Sequence, residues 1–254
     1  MATIKDVAKA AQTSPSTVSR VLNGTIAVSP ELKERVNQAV KQLNYQSNIA
    51  GRNLRMGIDQ EFGPDFELRS RQNEDIKKLI AKYAAEQVRV SDVIILDTGS
   101  TVSYMVLYLP EGTVIYTNSL AILQPAAKRQ LTVQIAPGLY VPGLAAVFGV
   151  ETEAYLREKH GAKYFFSTAR VDVRTGLFNT HPSTRAIKRT ILNAADMAIL
   201  VVDHTKFCDA GLPAYADLRE IDLLITDYVP EAFFPALRDL GVQIVEVGEL
   251  ERHD

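Results

Sequence analysis

Apolar residues recur with two different spacings along the chain. Between residues 7 and 43 they follow helical spacing in three short segments. The segments contain Val7, Ala8 and Ala11, then Val18, Val21 and Leu22, then Leu32, Val36, Ala39, Val40 and Leu43. From residue 93 onward, short apolar runs alternate with amphipathic stretches. The pattern predicts a small all-α domain followed by an α/β domain.

Turn-forming residues mark the starts of the first two helices. Thr3 and Asp6 have the spacing of a capping box. Ser14 is a favourable N-cap, and Pro15 suits the first helical position, where a missing N–H costs nothing. Two short helices joined by a tight turn before Ser14 form a helix-turn-helix.

One face of the second helix carries short polar side chains around a single arginine. These are Ser16, Thr17, Ser19, Arg20 and Asn23. Short hydroxyl side chains allow the backbone to approach phosphates, and an arginine can donate two hydrogen bonds to guanine O6 and N7. The helix is therefore predicted to read DNA, whereas the alternative is a helical bundle that contacts no nucleic acid.

The larger domain is predicted to be a doubly wound, mostly parallel sheet of the Rossmann-like kind. The apolar runs predict strands at 93–96, 113–116, 131–135, 163–166, 197–202, 221–225 and 242–247, and helices at 100–109, 149–158, 184–194 and 230–239. A further helix is expected to start at Asn73 as its cap. Alternation of strands and helices is typical of this fold class, whose ligands bind at the carboxyl ends of the strands.

The N-terminal stretches Ala2-Thr-Ile-Lys-Asp-Val-Ala-Lys9 and Ser16-Thr-Val-Ser-Arg-Val-Leu-Asn23 resemble the headpiece of the LacI family, especially its purine-repressor branch. The residues at 44–55 resemble the hinge of that family. The resemblance implies DNA contacts by Thr3, Ser14, Pro15, Ser16, Thr17, Ser19, Arg20, Asn23, Gly51, Leu54 and Arg55. It also implies that Leu54 is wedged into the minor groove. Gly51 replaces the usual alanine and lowers helix propensity, and a plain linker is the alternative.

From residue 66 onward the chain resembles a second family, the effector domain of DeoR-type repressors. The resemblance is carried by Asp97-Thr-Gly-Ser-Thr101, Thr117-Asn-Ser119, Asp203-His-Thr-Lys-Phe207 and the Asn73–Lys77 pair. It implies that a phosphorylated sugar or similar anion is bound by Lys77, Asp97, Thr98, Gly99, Ser100, Thr101, Thr117, Asn118, Ser119, Asp172, Lys188, Asp203 and Lys206. Each of these roles has an alternative. The loop hydroxyls could instead cap a helix, Lys77 could be a solvent-exposed lysine, and Asp203 and Lys206 could form a surface ion pair.

Three departures from the second family limit what the resemblance implies. Ala136-Pro-Gly138 replaces a glycine pair, His204-Thr205 replaces the common Ser-Ser, and Thr184-Arg185 replaces the usual Glu-Ala. The last change adds a cation, and Arg185 either lines an anion pocket or lies at the surface. The sequence does not decide between these positions.

Glycines and a proline between Gly57 and Asp65 indicate a domain boundary. We expect a DNA-binding domain with its hinge at 1–57, a linker at 58–65 and an effector domain at 66–254. The net charge of −2 is uneven, because residues 1–57 contain eight Lys and Arg against three Asp and Glu. The positive charge lies in the domain that is predicted to bind DNA.

Neither a metal nor a cofactor is expected. His181 and His204 have no partners at ligand spacing, and the single cysteine excludes a disulfide framework. The chain has no apolar run long enough to cross a bilayer, so a cytoplasmic, nucleoid-associated protein without membrane contact is expected.

Two functions fit these features. The first is a transcriptional regulator, in particular a repressor, that binds a pseudo-palindromic operator as a homodimer or homotetramer and responds to a sugar phosphate. The second is an isomerase of sugar phosphates that carries a DNA-binding headpiece. An isomerase needs a base near the substrate carbon. Asp97 and Asp203 are candidates for that base by residue type only. A third class of function is an architectural DNA-binding protein with an inert second domain. This class would give the polar residues at the strand ends no role.

Replacement of Arg20 tests how the second helix reads DNA. Arg20→Ala should weaken operator binding by about 1–3 kcal/mol and relax the base preference at one position in each half-site. Binding to a set of operators with single base changes measures both effects. A uniform loss over all sequences would instead make Arg20 a phosphate contact.

Overall fold

The computed structural model describes residues 4–15, 17, 18, 21, 30–42, 66–90, 92–159 and 162–250. It divides into two compact units, Met1–Met56 and Gly57–Asp254. Eight of the predicted DNA contacts lie outside the described residues: Thr3, Ser16, Ser19, Arg20, Asn23, Gly51, Leu54 and Arg55. The predicted linker at 58–65 also lies outside them.

The N-terminal unit contains helices α1 (Ile4–Ala10) and α2 (Pro30–Gln42), and residues 15, 17, 18 and 21 are also helical. Ser14 caps the helical segment as predicted, because its Oγ accepts the N–H of Thr17 at 3.1 Å. A small core of its own holds this unit together, and it consists of Val7, Ala8, Ala11, Val18, Val21, Val36 and Ala39. Each short helix therefore buries its apolar face against the other helical segments.

The C-terminal unit contains strands that coincide with the predicted apolar runs and shorter strands that do not. They are β1 (Val93–Leu96), β2 (Val114–Thr117), β3 (Thr132–Ile135), β4 (Leu139–Val141), β5 (Ala146–Phe148), β6 (Lys163–Phe166), β7 (Arg170–Asp172), β8 (Gly176–Phe178), β9 (Met197–Val201), β10 (Phe207–Cys208), β11 (Leu223–Thr226) and β12 (Gln243–Glu246). Seven of them form one sheet in the order β12-β11-β9-β6-β1-β2-β3, and all neighbouring pairs are parallel. The predicted doubly wound fold class is confirmed.

Helices cover both faces of this sheet. They are α3 (Phe66–Arg71), α4 (Glu74–Glu86), α5 (Ser100–Tyr104), α6 (Leu123–Lys128), α7 (Val150–Arg157), α8 (Pro182–Leu192), α9 (Phe234–Asp239) and α10 (Val247–Leu250). Alternate residues of β1 face opposite cores: Ile95 packs with α7 and α8, whereas Ile94 and Leu96 pack with α4 and α5. The central strands β1 and β9 consist of apolar residues because both faces of the sheet are covered.

Two smaller sheets lie beside the main one. One is the antiparallel pair β4–β5, and the other has the order β10-β7-β8. The apolar runs did not predict these strands, since each has only two or three residues.

The start of α4 differs from the prediction. Asn73 is at the N-cap position, but its side chain makes no capping hydrogen bond and its backbone is left-handed, with φ of 54° and ψ of 41°. The capping prediction for Asn73 is therefore wrong. Its side-chain amide instead donates to Asp203 Oδ1 at 3.3 Å, which connects α4 to the loop after β9.

A glycine substitution tests the β7–β8 turn. Gly176 has a φ of 117°, and a Cβ there would overlap the carbonyl oxygen of Ala216. Gly176→Ala should lower the free energy of unfolding by about 1–3 kcal/mol, because both the backbone and its neighbour must shift. Gly143→Ala is the matched control, since a Cβ there meets nothing within 4 Å. Thermal unfolding measures both variants, and equal stability of the two would contradict the prediction.

Candidate functional site

The polar loops of the C-terminal unit gather at the carboxyl edge of the main sheet, because all seven strands run in the same direction. Asp97 follows β1, Ser167 follows β6, Asp203 follows β9 and the 117–119 segment ends β2. This is the edge at which doubly wound sheets bind ligands.

A buried ion pair joins Asp97 to Lys188 of α8. Asp97 Oδ1 accepts the N–H of Gly99 at 2.7 Å, and Oδ2 accepts the N–H of Ser167 at 3.3 Å. Lys188 Nζ also donates to the carbonyl of Ser167 at 2.7 Å. Burial lowers the pKa of Lys188 from its ordinary value, although the Asp97 carboxylate opposes this effect. Asp97 and Lys188 therefore hold the loops after β1 and β6 together. Direct contact of either residue with an effector remains a prediction.

The 97–101 loop needs a glycine at its centre. A Cβ on Gly99 would lie 2.6 Å from Ser167 Cβ and 2.9 Å from Asp97 Oδ1, which is closer than real Cβ atoms approach their neighbours. The loop is thus pressed against the end of β6. Thr98, Ser100 and Thr101 are all buried beside it.

A second charged group lies at the start of α4 and after β9. Lys77 is buried, with only 2% of its surface exposed, and its ammonium donates to the carbonyl of Arg69. Burial and the positive charge of Lys206 lower the pKa of Lys77 to about 8, while Asp203 acts in the opposite direction. Lys77 is therefore a buried cation close to a second cation, and the exposed-lysine alternative is wrong.

The side chain of Asp203 accepts three hydrogen bonds. Its Oδ1 accepts the N–H of Thr205 at 3.1 Å, the hydroxyl of the same residue, and the side-chain amide of Asn73. Burial alone would raise the pKa of Asp203, but the charge of Lys206 and the Thr205 hydroxyl outweigh it, and the pKa is lowered. Asp203 is a fixed carboxylate, and it is buried rather than part of a surface ion pair.

Arg69 of α3 belongs to this group, although the sequence analysis did not identify it. Its carbonyl accepts a hydrogen bond from Lys77, and its positive charge contributes to lowering the pKa of Lys77, Lys188 and Lys206. Burial is the larger cause of the lowered pKa in each case. Arg69 is not part of the motifs that resemble the DeoR-type effector domain. The sequence therefore contains no sign that Arg69 contacts Lys77.

The 117–119 segment is fully buried beside β1. Thr117 Oγ1 donates to the carbonyl of Leu96 at 2.6 Å, and the amide of Asn118 donates to the carbonyl of Val147 at 3.0 Å. Among the described residues, Asn118 Oδ1 and the hydroxyl of Ser119 have no hydrogen-bond partner. Buried polar atoms without partners are costly, and they are found where a ligand or water completes a site.

Asp172 has a different environment from the other predicted ligands. It is fully buried, and its carboxylate accepts backbone N–H groups of Arg174, Thr175, Ala210 and Leu212. Burial raises the pKa of Asp172, but these four hydrogen bonds outweigh it and lower the pKa to about 2. Through these contacts Asp172 fixes the backbone of the loop after β10. Effector binding by Asp172 remains a prediction.

The remaining candidates have the following positions. Ser14 and Pro15 are exposed, and Thr17 is half-buried. Arg185 is half-buried in the first turn of α8, and among the described side chains no carboxylate forms an ion pair with it. The described residues contain no cluster of three metal-ligating side chains. No helix in the described ranges is both long and apolar enough to cross a membrane.

Comparison with protein families identifies both units. Residues 72–228 match the model of the DeoR C terminal sensor domain, and residues 3–48 match the model of bacterial regulatory proteins of the lacI family. The first match covers more than half of the chain.

Individual relatives are also regulators. The chain is 30% identical over 174 residues to the uncharacterized HTH-type transcriptional regulator YulB of Bacillus subtilis, covering 67% of each chain. It is 26% identical over 169 residues to the L-fucose operon activator of Haemophilus influenzae, covering 66% of this chain and 68% of that one. Among solved structures, ribose 5 phosphate isomerase A of Neisseria gonorrhoeae aligns with a TM-score of 0.40 and 14% identity, over 54% of each chain. The chain therefore belongs to the transcriptional regulators that carry a DeoR C-terminal sensor domain, which here follows a lacI-type helix-turn-helix domain.

Proposed function

We propose that this regulator represses genes of carbohydrate metabolism and that a phosphorylated sugar changes its affinity for operator DNA. The observation that carries the proposal is the charge of the second group of the sensor site. Lys77 is buried and Lys206 is half-buried, and the Asp203 carboxylate acts on both of them. Arg69 and Arg170 add further positive charge, and an excess of positive charge in a partly buried group favours an anionic ligand.

The distribution of polar groups supports a sugar phosphate. A carboxylate such as Asp203 accepts hydrogen bonds from sugar hydroxyls, while ammonium groups donate to a phosphate. The unpartnered atoms of Asn118 and Ser119 add further sites for hydroxyl groups at the same edge of the sheet. The relative described as an L-fucose operon activator supports a carbohydrate-linked role.

An isomerase activity is the weaker alternative, because neither candidate base is suited to take a proton. Asp97 is paired with Lys188 and also accepts two backbone N–H groups. The pKa of Asp203 is lowered by Lys206 and Thr205 against the effect of burial, and a weaker base abstracts a proton less readily. These environments favour a non-enzymatic sensor.

On the DNA side, one helix-turn-helix reads one half-site, so the proposed operator is pseudo-palindromic and the regulator binds it as a homodimer or homotetramer. Such a regulator acts in the cytoplasm, at the nucleoid. The DNA contacts named in the sequence analysis belong to this proposal.

Two substitutions separate sensing from DNA binding. Lys206→Ala and, separately, Asp203→Ala should abolish the response to the effector, because each removes a predicted ligand contact. Operator affinity without effector should stay within a few-fold of the parent protein. Lys82→Ala is the matched control, since Lys82 is an exposed lysine on α4. Operator titrations with and without phosphorylated sugars, at one salt concentration, measure both quantities. A full response in either variant would place the effector elsewhere.

The charge of Lys77 predicts a dependence on pH. The pKa of Lys77 is about 8, so its amine is charged at pH 7 and mostly neutral at pH 9. A phosphate monoester has its second pKa near 6 and stays doubly charged over this range. Affinity for a sugar phosphate should therefore fall as pH rises from 7 to 9, by up to about tenfold. Calorimetric titrations across this range test the expectation, and an affinity that rises with pH would contradict it.

A further inference from the structure

Polar contacts from α4 and α5 attach helix α3 to the rest of the sensor unit. None of its residues is buried. The carbonyl of Arg69 accepts hydrogen bonds from Lys77 Nζ and, at 3.5 Å, from Ser100 Oγ. The carbonyl of Ser70 accepts one from the hydroxyl of Tyr104 at 3.3 Å. These donors therefore help to fix the position of α3.

Two of the three donors are also predicted effector ligands. The hydroxyl of Ser100 has a single hydrogen, so it can donate either to the Arg69 carbonyl or to a phosphate oxygen. The ammonium of Lys77 has three hydrogens, but a hydrogen bond to a charged oxygen is about twice as strong as one to a neutral carbonyl. A phosphate that takes the hydrogen of Ser100 and draws Lys77 Nζ toward itself would therefore displace the carbonyl of Arg69.

The tie between α3 and Lys77 brings cations together. Arg69 lies close enough to Lys77, Lys188 and Lys206 for its charge to act on each of them. Like charges repel, so in the absence of an anion the hydrogen bonds at the Arg69 carbonyl hold α3 against this repulsion.

We propose that α3 is the element that reports effector binding: the bound anion and the Arg69 carbonyl compete for Lys77 and Ser100, and occupancy by the anion releases α3. The proposal rests on the proposed sensor function of the same site. In the sequence, α3 is the first described element after the DNA-binding domain. Its release therefore changes the segment of chain that leads to that domain.

Hydrogen exchange of the full-length protein tests the release of α3. The probes are inorganic phosphate, ribose 5-phosphate and glucose 6-phosphate, and thermal shift measures their binding. A probe that binds should increase exchange of the amides at 66–72 and decrease exchange at 98–101. If a probe binds but protects 66–72, α3 closes on the ligand and the competition is wrong. If none of the probes stabilises the protein, the proposed sensor function fails and the competition fails with it.

A variant outside the anion site tests the same competition. Tyr104→Phe removes one hydrogen bond to α3, together with the contact of the same hydroxyl with the Glu74 carboxylate, and it leaves Lys77 and Ser100 in place. It should increase exchange at 66–72 without any probe and tighten probe binding by about two- to tenfold, the value of one ordinary hydrogen bond. Tyr108→Phe is the matched control, because Tyr108 is 38% exposed and has no described contact with α3. Unchanged exchange or weaker probe binding in Tyr104→Phe would overturn the proposal.

Discussion

The buried ion pair between Asp97 and Lys188 is the interaction on which the sensor site depends. It links the loop after β1 to α8, and through Ser167 it also holds the end of β6. Taking two charges out of water is costly, and the cost is met only when the pair is close and fully hydrogen-bonded. Because these two charges neutralise each other, the charge that we propose for anion binding comes from the neighbouring lysines, Lys77 and Lys206.

The main sheet was predictable from the sequence for a physical reason. A central parallel strand is buried on both faces, so its sequence is a continuous apolar run such as Val93–Leu96. Short strands such as β10 (Phe207–Cys208) contain too few residues for any period to be visible, and their pairing depends on neighbours that are distant in the sequence. The same limit applies to the loop around Asp172, because two of its partners come from residues 210 and 212.

The site itself was predictable where residues lie in loops after strands. The loops at 97–101 and 203–206 were located by their turn residues and by family resemblance, and the fold places both at one edge of the sheet. Asn73 was misinterpreted because a cap and a long-range hydrogen bond use the same side chain, and only the backbone angle distinguishes them. Arg69 was missed because its contact with Lys77 is made by its backbone carbonyl. Every residue has a carbonyl, so such a contact leaves no signal in the sequence.

The N-terminal unit fills its core with residues between Val7 and Ala39, whereas the cores of the sensor unit begin at Ile80. A domain that packs its own interior can be joined to a new partner without repacking either one. Evolution could therefore combine a DNA reader from one regulator lineage with a metabolite sensor from another by recombination in the connecting segment. Natural selection would then act on that segment rather than on either interior, since the segment alone must be newly fitted to transmit the signal.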